Sequence, residues 1–103
     1  MGLADDVKTE IKKNLDLKEP PMFKVIYIND NQTTLEFVIQ SLMEHFRYSY
    51  ETAEKITVDI HQQGAATVAI LPYEIAEQKG IEVTLNARTN GYPLQVRLEP
   101  DET

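Results

Sequence analysis

A change of hydrophobic period across Asn29-Asp30-Asn31-Gln32 constrains this chain more than any other feature. Before it, Phe23-Lys24-Val25-Ile26-Tyr27-Ile28 is nearly continuous in apolar character and rich in β-branched and aromatic residues. That pattern predicts a central strand buried on both faces. After it, Leu35, Val38, Ile39, Leu42, Met43 and Phe46 recur at the spacing of one helix face, which predicts a strong amphipathic helix. The three Asx residues between them tolerate left-handed backbone and bond to nearby backbone groups, so a turn is expected there. Thr33 and Glu36 have the spacing of a capping box at the helix start.

The rest of the chain extends this core. Arg47-Tyr48-Ser49 reads as a short connection, with Ser49 as N-cap of a second helix that ends at Gly64 as C-cap. Ala53, Ile56 and Ile60 form its expected buried stripe, flanked by Thr57 and His61. Residues 65–71 read as a strand. Pro72 suits the first position of a third helix reaching about Arg88, with Ile75, Ala76, Val83 and Ala87 inward and Gly80 costing roughly 1 kcal/mol relative to alanine. Asn90-Gly91 closes that helix, and Leu94-Gln95-Val96-Arg97-Leu98 alternates as a last strand. The order βααβαβ predicts an α+β domain, a three-stranded antiparallel sheet with three helices packed on one face. Residues 1–21 carry only a sparse apolar row, Leu3, Val7, Ile11 and Leu15, among many charges, and end in Pro20-Pro21. They are expected to form a flexible N-terminal extension to a core domain of residues 22–103.

Composition narrows the function. At 103 residues one domain is expected, large enough to bury roughly two thirds of its unfolded surface. The chain has no cysteine, so disulfides, thiolate nucleophiles and cysteine metal sites are excluded. No apolar stretch approaches the roughly 18 residues of a membrane span and the start lacks signal-peptide order, so a cytoplasmic monomer is expected. A formal charge of -7 with no basic face argues against nucleic acid.

No common catalytic constellation is present. The sequence lacks a Gly-rich phosphate loop, HExxH and GxSxG. His45 and His61 fall on different helices without ligand spacing to nearby acids, so neither a metal nor a cofactor is expected. Asp30 and Thr33 are better explained by turn and cap roles than as a base and nucleophile. Binding fits better: Asn29, Asp30 and Asn31 carry oxygen acceptors, and His61 carries a neutral imidazole nitrogen if its helix packs beside the turn. Such groups accept hydrogen bonds from an ammonium.

Several separated motifs give this reading a name. Pro20-Pro21 before a strand, Lys24-Val25-Ile26, Asn29-Asp30, Thr33, Leu35-Glu36-Phe37-Val38, His61-x-x-Gly64, Ala87-Arg88 and Pro93-Leu94 occur in the order and spacing of the ClpS adaptors of the bacterial Clp protease. Over residues 20–99 the chain resembles that family. The resemblance implies a non-enzymatic adaptor that binds N-degrons, proteins beginning with Leu, Phe, Tyr or Trp, and hands them to the ClpA unfoldase of ClpAP. It implies that Asn29, Asn31 and His61 hold the substrate amine, with Asp30 and Thr33 shaping the turn. Leu35, Val38, Thr57, Ile60 and Leu94 would line or gate a hydrophobic pocket. Glu74 and Lys79 would face the ClpA N-terminal domain, and the extension would engage the unfoldase during delivery.

The chain departs from the family pattern at three of these positions. Asn31 stands where an acid is usual, Leu35 where Met gates the pocket, and Thr57 where an apolar Met is common. Retained N-terminal recognition with an altered ranking of first residues is the expectation. Because His61 accepts only when neutral and the amine donates best when protonated, affinity is expected to peak near neutral pH. The rival layout is the C-terminal domain of the ribosomal stalk protein, which would bind translation factors, but its Gly- and Lys-rich helix connection has no counterpart here.

Overall fold

The computed structural model describes residues 20–102. The expected extension therefore lies almost wholly outside the described residues. The elements follow the order read from the sequence: β1 (Met22–Ile28), α1 (Leu35–Phe46), α2 (Tyr50–Gln63), β2 (Ala65–Pro72), α3 (Tyr73–Thr89) and β3 (Gln95–Pro100). The sheet order is β2-β1-β3 and both pairings are antiparallel. β1 is thus the central strand. Its burial alternates, however. Val25 and Tyr27 are fully buried, whereas Lys24, Ile26 and Ile28 on the opposite face are only half-buried. The apolar run is explained by one covered face and one partly shielded by neighbouring strands, rather than by helices on both sides.

Val25 and Tyr27 face the helical layer, where they join Val38, Leu42, Ala53, Ile60, Ala76, Val83, Ala87 and Leu94 in one core. α3 packs across all three strands, α2 packs against α1 and β2, and α1 reaches the sheet through Tyr27. The Ser41 hydroxyl donates to the Val38 carbonyl at 2.8 Å, which commits its only proton. The Tyr27 hydroxyl, 2.9 Å away, is therefore the donor in their shared bond. Burial pushes the Tyr27 phenol pKa up, and the Ser41 bond lowers it only in part.

The local signals hold with small shifts. The α1 cap is Thr34, whose Oγ1 accepts from the Phe37 N–H at 3.1 Å, one residue later than the Thr33 and Glu36 box predicts. Thr33 is drawn away by Asp30. Ser49 caps α2 by accepting from the Thr52 N–H, and Gly64 ends it at φ 86°, a left-handed value that favours glycine. Pro72 is the last residue of β2 and the cap of α3 rather than its first helical residue. In α2 the buried stripe contains Thr57, 2% exposed, in place of a flanking role; Thr57 hides its hydroxyl by donating to the Ala53 carbonyl at 2.7 Å. Ile75 is 46% exposed rather than inward. Leu94 is buried in the loop just before β3, not in the strand.

Candidate functional site

The turn between β1 and α1 is tied at both ends. The Asn29 N–H donates to the Gly64 carbonyl at 2.9 Å, which fastens the end of the central strand to the C-terminus of α2. Asp30 then organises the turn from within. Its Oδ1 accepts from the N–H groups of Gln32 at 2.8 Å and Thr33 at 2.7 Å, and its Oδ2 accepts from the Thr33 hydroxyl at 2.7 Å. Partial burial pushes the Asp30 carboxyl up. The bonds from Thr33 and Gln32 and the charge of Arg88 outweigh that and hold it below the ordinary carboxylate value.

With Asp30 spent on the turn, the neighbouring polar side chains are left open. Among the described residues, the side chains of Asn29, Asn31 and His61 make no hydrogen bond or ion pair, and all three residues are exposed. Each can accept from a donor that comes from solvent.

Asn29, Asp30 and Thr33 line a cleft together with Leu35, Val38, Thr57, Ile60 and Leu94, and with Ile28, whose part the sequence did not single out. Ile28 is the last residue of β1 and adjoins the turn directly. Asn31 and His61 are not among the lining residues. His61 follows Ile60 in the last turn of α2, and the Asn29–Gly64 bond places the turn beside that same helix end. The cleft is nearly closed, with a volume of about 10 Å³. That holds about one water. Leu35 at its mouth is 49% exposed, while Val38, Ile60 and Leu94 behind it are buried. On the far side of Leu35 and Thr57 lies a wider groove of about 500 Å³, lined also by Ile39, Glu54, Lys55, Val58 and Asp59.

Glu74 and Lys79 lie elsewhere. Glu74 is exposed in the first turn of α3, and Lys79 makes a loose 3.7 Å ion pair with Glu82. Lys79 borders a third depression of about 350 Å³ with Ile75, Ile70, Leu71, His45, Phe46 and Arg47. Ile70 and Ile75 are both nearly half exposed there. The Ile75 side chain, expected inside, instead extends an apolar patch around the Lys79 position. Among the described residues there is no group of three or more His, Asp or Glu able to hold a metal ion, and no helix long and apolar enough to cross a membrane.

Comparison with known proteins gives this geometry its context. Residues 18–97 match the family model described as ATP-dependent Clp protease adaptor protein ClpS. The ClpS adapter of Clostridium acetobutylicum is 40% identical over 98 residues, covering 95% of this chain and 97% of that one. The ClpS adapter of Wolinella succinogenes is 37% identical over 96 residues, covering 93% and 94%. Among solved structures, Agrobacterium tumefaciens ClpS2 bound to L-phenylalaninamide superposes with a TM-score of 0.78 at 35% identity, covering 81% of this chain and all of that one. The ribosomal-stalk alternative gains no support from these matches.

Proposed function

Because this chain belongs to the ClpS family of Clp protease adaptors, we propose that it captures proteins by a free N-terminal amine and a large hydrophobic first side chain, and delivers them to the ClpA unfoldase of ClpAP in the cytoplasm. In this reading it has no catalytic activity of its own. The observation that carries it is the pairing of unpartnered acceptors on Asn29 with an apolar cleft whose lining includes the same residue. Only a chain's first residue offers an ammonium on the same Cα as a side chain, so acceptors at the mouth of an apolar cleft read both at once. The relative bound to L-phenylalaninamide supports the reading, since that ligand combines a free amine with a benzyl side chain.

In the proposed complex Asn29, Asn31 and His61 accept from the ammonium while Asp30 and Thr33 hold the turn. The first side chain enters between Leu35, Val38, Thr57, Ile60 and Leu94. Hydrogen bonds to a charged group contribute about 1.5 to 3 kcal/mol each, and burial of one large side chain about as much. After association costs of several kcal/mol, micromolar affinity near -8 kcal/mol is expected. Weak capture suits a protein that must release its cargo. The patch around Ile75 and Lys79, with Glu74 nearby, supports docking to the ClpA N-terminal domain through a face separate from the cleft.

Fluorescence anisotropy with a Phe-initiated peptide tests the proposal against its N-acetylated form and an Asn29→Ala, His61→Ala double variant. Acetylation and the double substitution are each expected to weaken binding about tenfold or more. Equal binding of the free and acetylated peptides would refute it.

A further inference from the structure

We infer that Tyr92, anchored by Arg88, is a positioning residue that straps two of the walls of the cleft together and so limits the size of the side chain it admits. This rests on the proposed binding function and deepens it. One wall is the first turn of α1, which carries Leu35 and Val38. The other is Leu94, on the loop between α3 and β3. Tyr92 lies two residues from Leu94 and its ring packs against Phe37 of α1, with centroids 4.9 Å apart and planes tilted by 52°. Its hydroxyl lies 3.5 Å from Oγ1 of Thr34, the α1 cap.

The loop end of this strap is pinned to α3. The Tyr92 N–H donates to the Ala87 carbonyl at 2.9 Å. Arg88 Nη1 donates to the Tyr92 carbonyl at 3.0 Å and the Leu94 carbonyl at 2.8 Å, so one nitrogen holds the residues on both sides of Pro93. Neither Tyr92 nor Arg88 lines the cleft, so neither takes part by touching the cargo.

The closed state of the cleft gives the strap its consequence. With about 10 Å³ between the walls, any large side chain must push them apart. Rotation of half-exposed Leu35 opens the mouth. The depth between Val38 and Leu94 increases when α1 and the loop separate, which works against the Tyr92–Phe37 contact and the Arg88 bonds. An indole demands more separation than an isobutyl group. The strap therefore penalises Trp more than Leu, and loosening it helps Trp more.

Anisotropy titrations with Trp- and Leu-initiated peptides of otherwise identical sequence read this as an affinity ratio. Tyr92→Ala and Arg88→Met are each expected to shift the ratio toward Trp by about threefold or more relative to the parent chain. Tyr92→Phe, which keeps the ring, and Arg88→Lys, whose single nitrogen can still donate to two carbonyls, are expected to restore the parent ratio. A general loosening of the fold would weaken both peptides alike and leave the ratio unmoved. Should Tyr92→Ala not fold, Tyr92→Leu, which keeps apolar bulk without the ring contact, decides in its place. A smaller shift, or one toward Leu, in either position overturns the inference. Loss of discrimination between free and acetylated peptides in the parent chain would instead strike the binding function itself.

Discussion

Replacing Asp30 by asparagine and by alanine separates two roles that a carboxylate beside an amine site can play. In the free protein the Asp30 oxygens accept three bonds from Gln32 and Thr33. Asparagine keeps Oδ1 for the two N–H donors, and its NH₂ can donate to a rotated Thr33 hydroxyl, so the turn survives with neutral bonds. Bonds to a charged group contribute about 1.5 to 3 kcal/mol and neutral ones about 0.5 to 1.5. The turn is partly solvated, so water replaces some of what is lost and the lower ends apply. Asp30→Asn is then expected to cost about 1 kcal/mol of stability, and Asp30→Ala about 2 to 3 kcal/mol. In a domain of this size each kcal/mol lowers Tm by about 4 to 8 °C.

Binding should follow the turn rather than the charge. If Asp30 acts by holding Asn29 and Asn31 in place, Asp30→Asn keeps affinity for a Phe-initiated peptide within about threefold, while Asp30→Ala weakens it about tenfold or more. Urea unfolding gives the stability terms and anisotropy gives the affinities, on the same preparations. A turn-holding role for Asp30 is refuted if the two variants lose equal affinity while Asp30→Asn remains the more stable. That result would mean the carboxylate acts on the ammonium by its charge.

Three further outcomes follow from the geometry. Ser41→Ala strands the buried Tyr27 hydroxyl and is expected to cost about 1 to 3 kcal/mol, more than Tyr27→Phe at about 1 kcal/mol, because the Ser41 hydroxyl keeps its Val38 partner in the latter; urea titration showing the reverse order would reassign the donor. The depressed Asp30 pKa means its contribution is present above the unfolded aspartate value near 3.9 and is lost as pH falls through the lower folded value. The stability gap between the parent chain and Asp30→Asn should therefore narrow below about pH 4, and a gap constant from pH 7 to pH 3 would exclude this. Ile75→Glu combined with Lys79→Glu is expected to leave peptide affinity within about twofold and to weaken binding to the ClpA N-terminal domain about tenfold in calorimetric titration; parallel losses would mean that the two faces are one.

The sequence disclosed what depends on local periodicity and capping, and lost accuracy where tertiary competition decides. The α1 pattern, Ser49 and Gly64 are satisfied by neighbours within a few residues, and each lies where its local chemistry places it. The α1 cap moved from Thr33 to Thr34 because Asp30 offers Thr33 a stronger partner than the helix end does, and spacing alone does not rank two acceptors. Thr57 turned inward because a hydroxyl can donate to the carbonyl four residues back, so a polar residue on a helix can be buried at little cost. Ile75 is 46% exposed, and the buried position at that point of α3 belongs to its neighbour Ala76. Within the cleft, the turn residues were legible as chemistry, whereas Leu35, Thr57 and Leu94 became a wall only through the family resemblance. Their convergence depends on three elements far apart in sequence.

The closed cleft connects these points to the proposed work of the molecule. A cavity of about 10 Å³ cannot hold a leucine or phenylalanine side chain, so occupancy requires a movement of Leu35 or of the walls behind it. Part of the free energy gained by burying the cargo's side chain, about 1.5 to 3 kcal/mol, is then spent on that opening. The proposed amine contacts on Asn29, Asn31 and His61 need no comparable rearrangement, because their side chains have no internal partners to give up. Recognition of the free N-terminus should accordingly supply most of the net affinity, and the cleft most of the discrimination among first residues. In that division of labour, substitutions at Asn29 weaken every N-degron alike, whereas those at Leu35, Thr57 and Tyr92 reorder them.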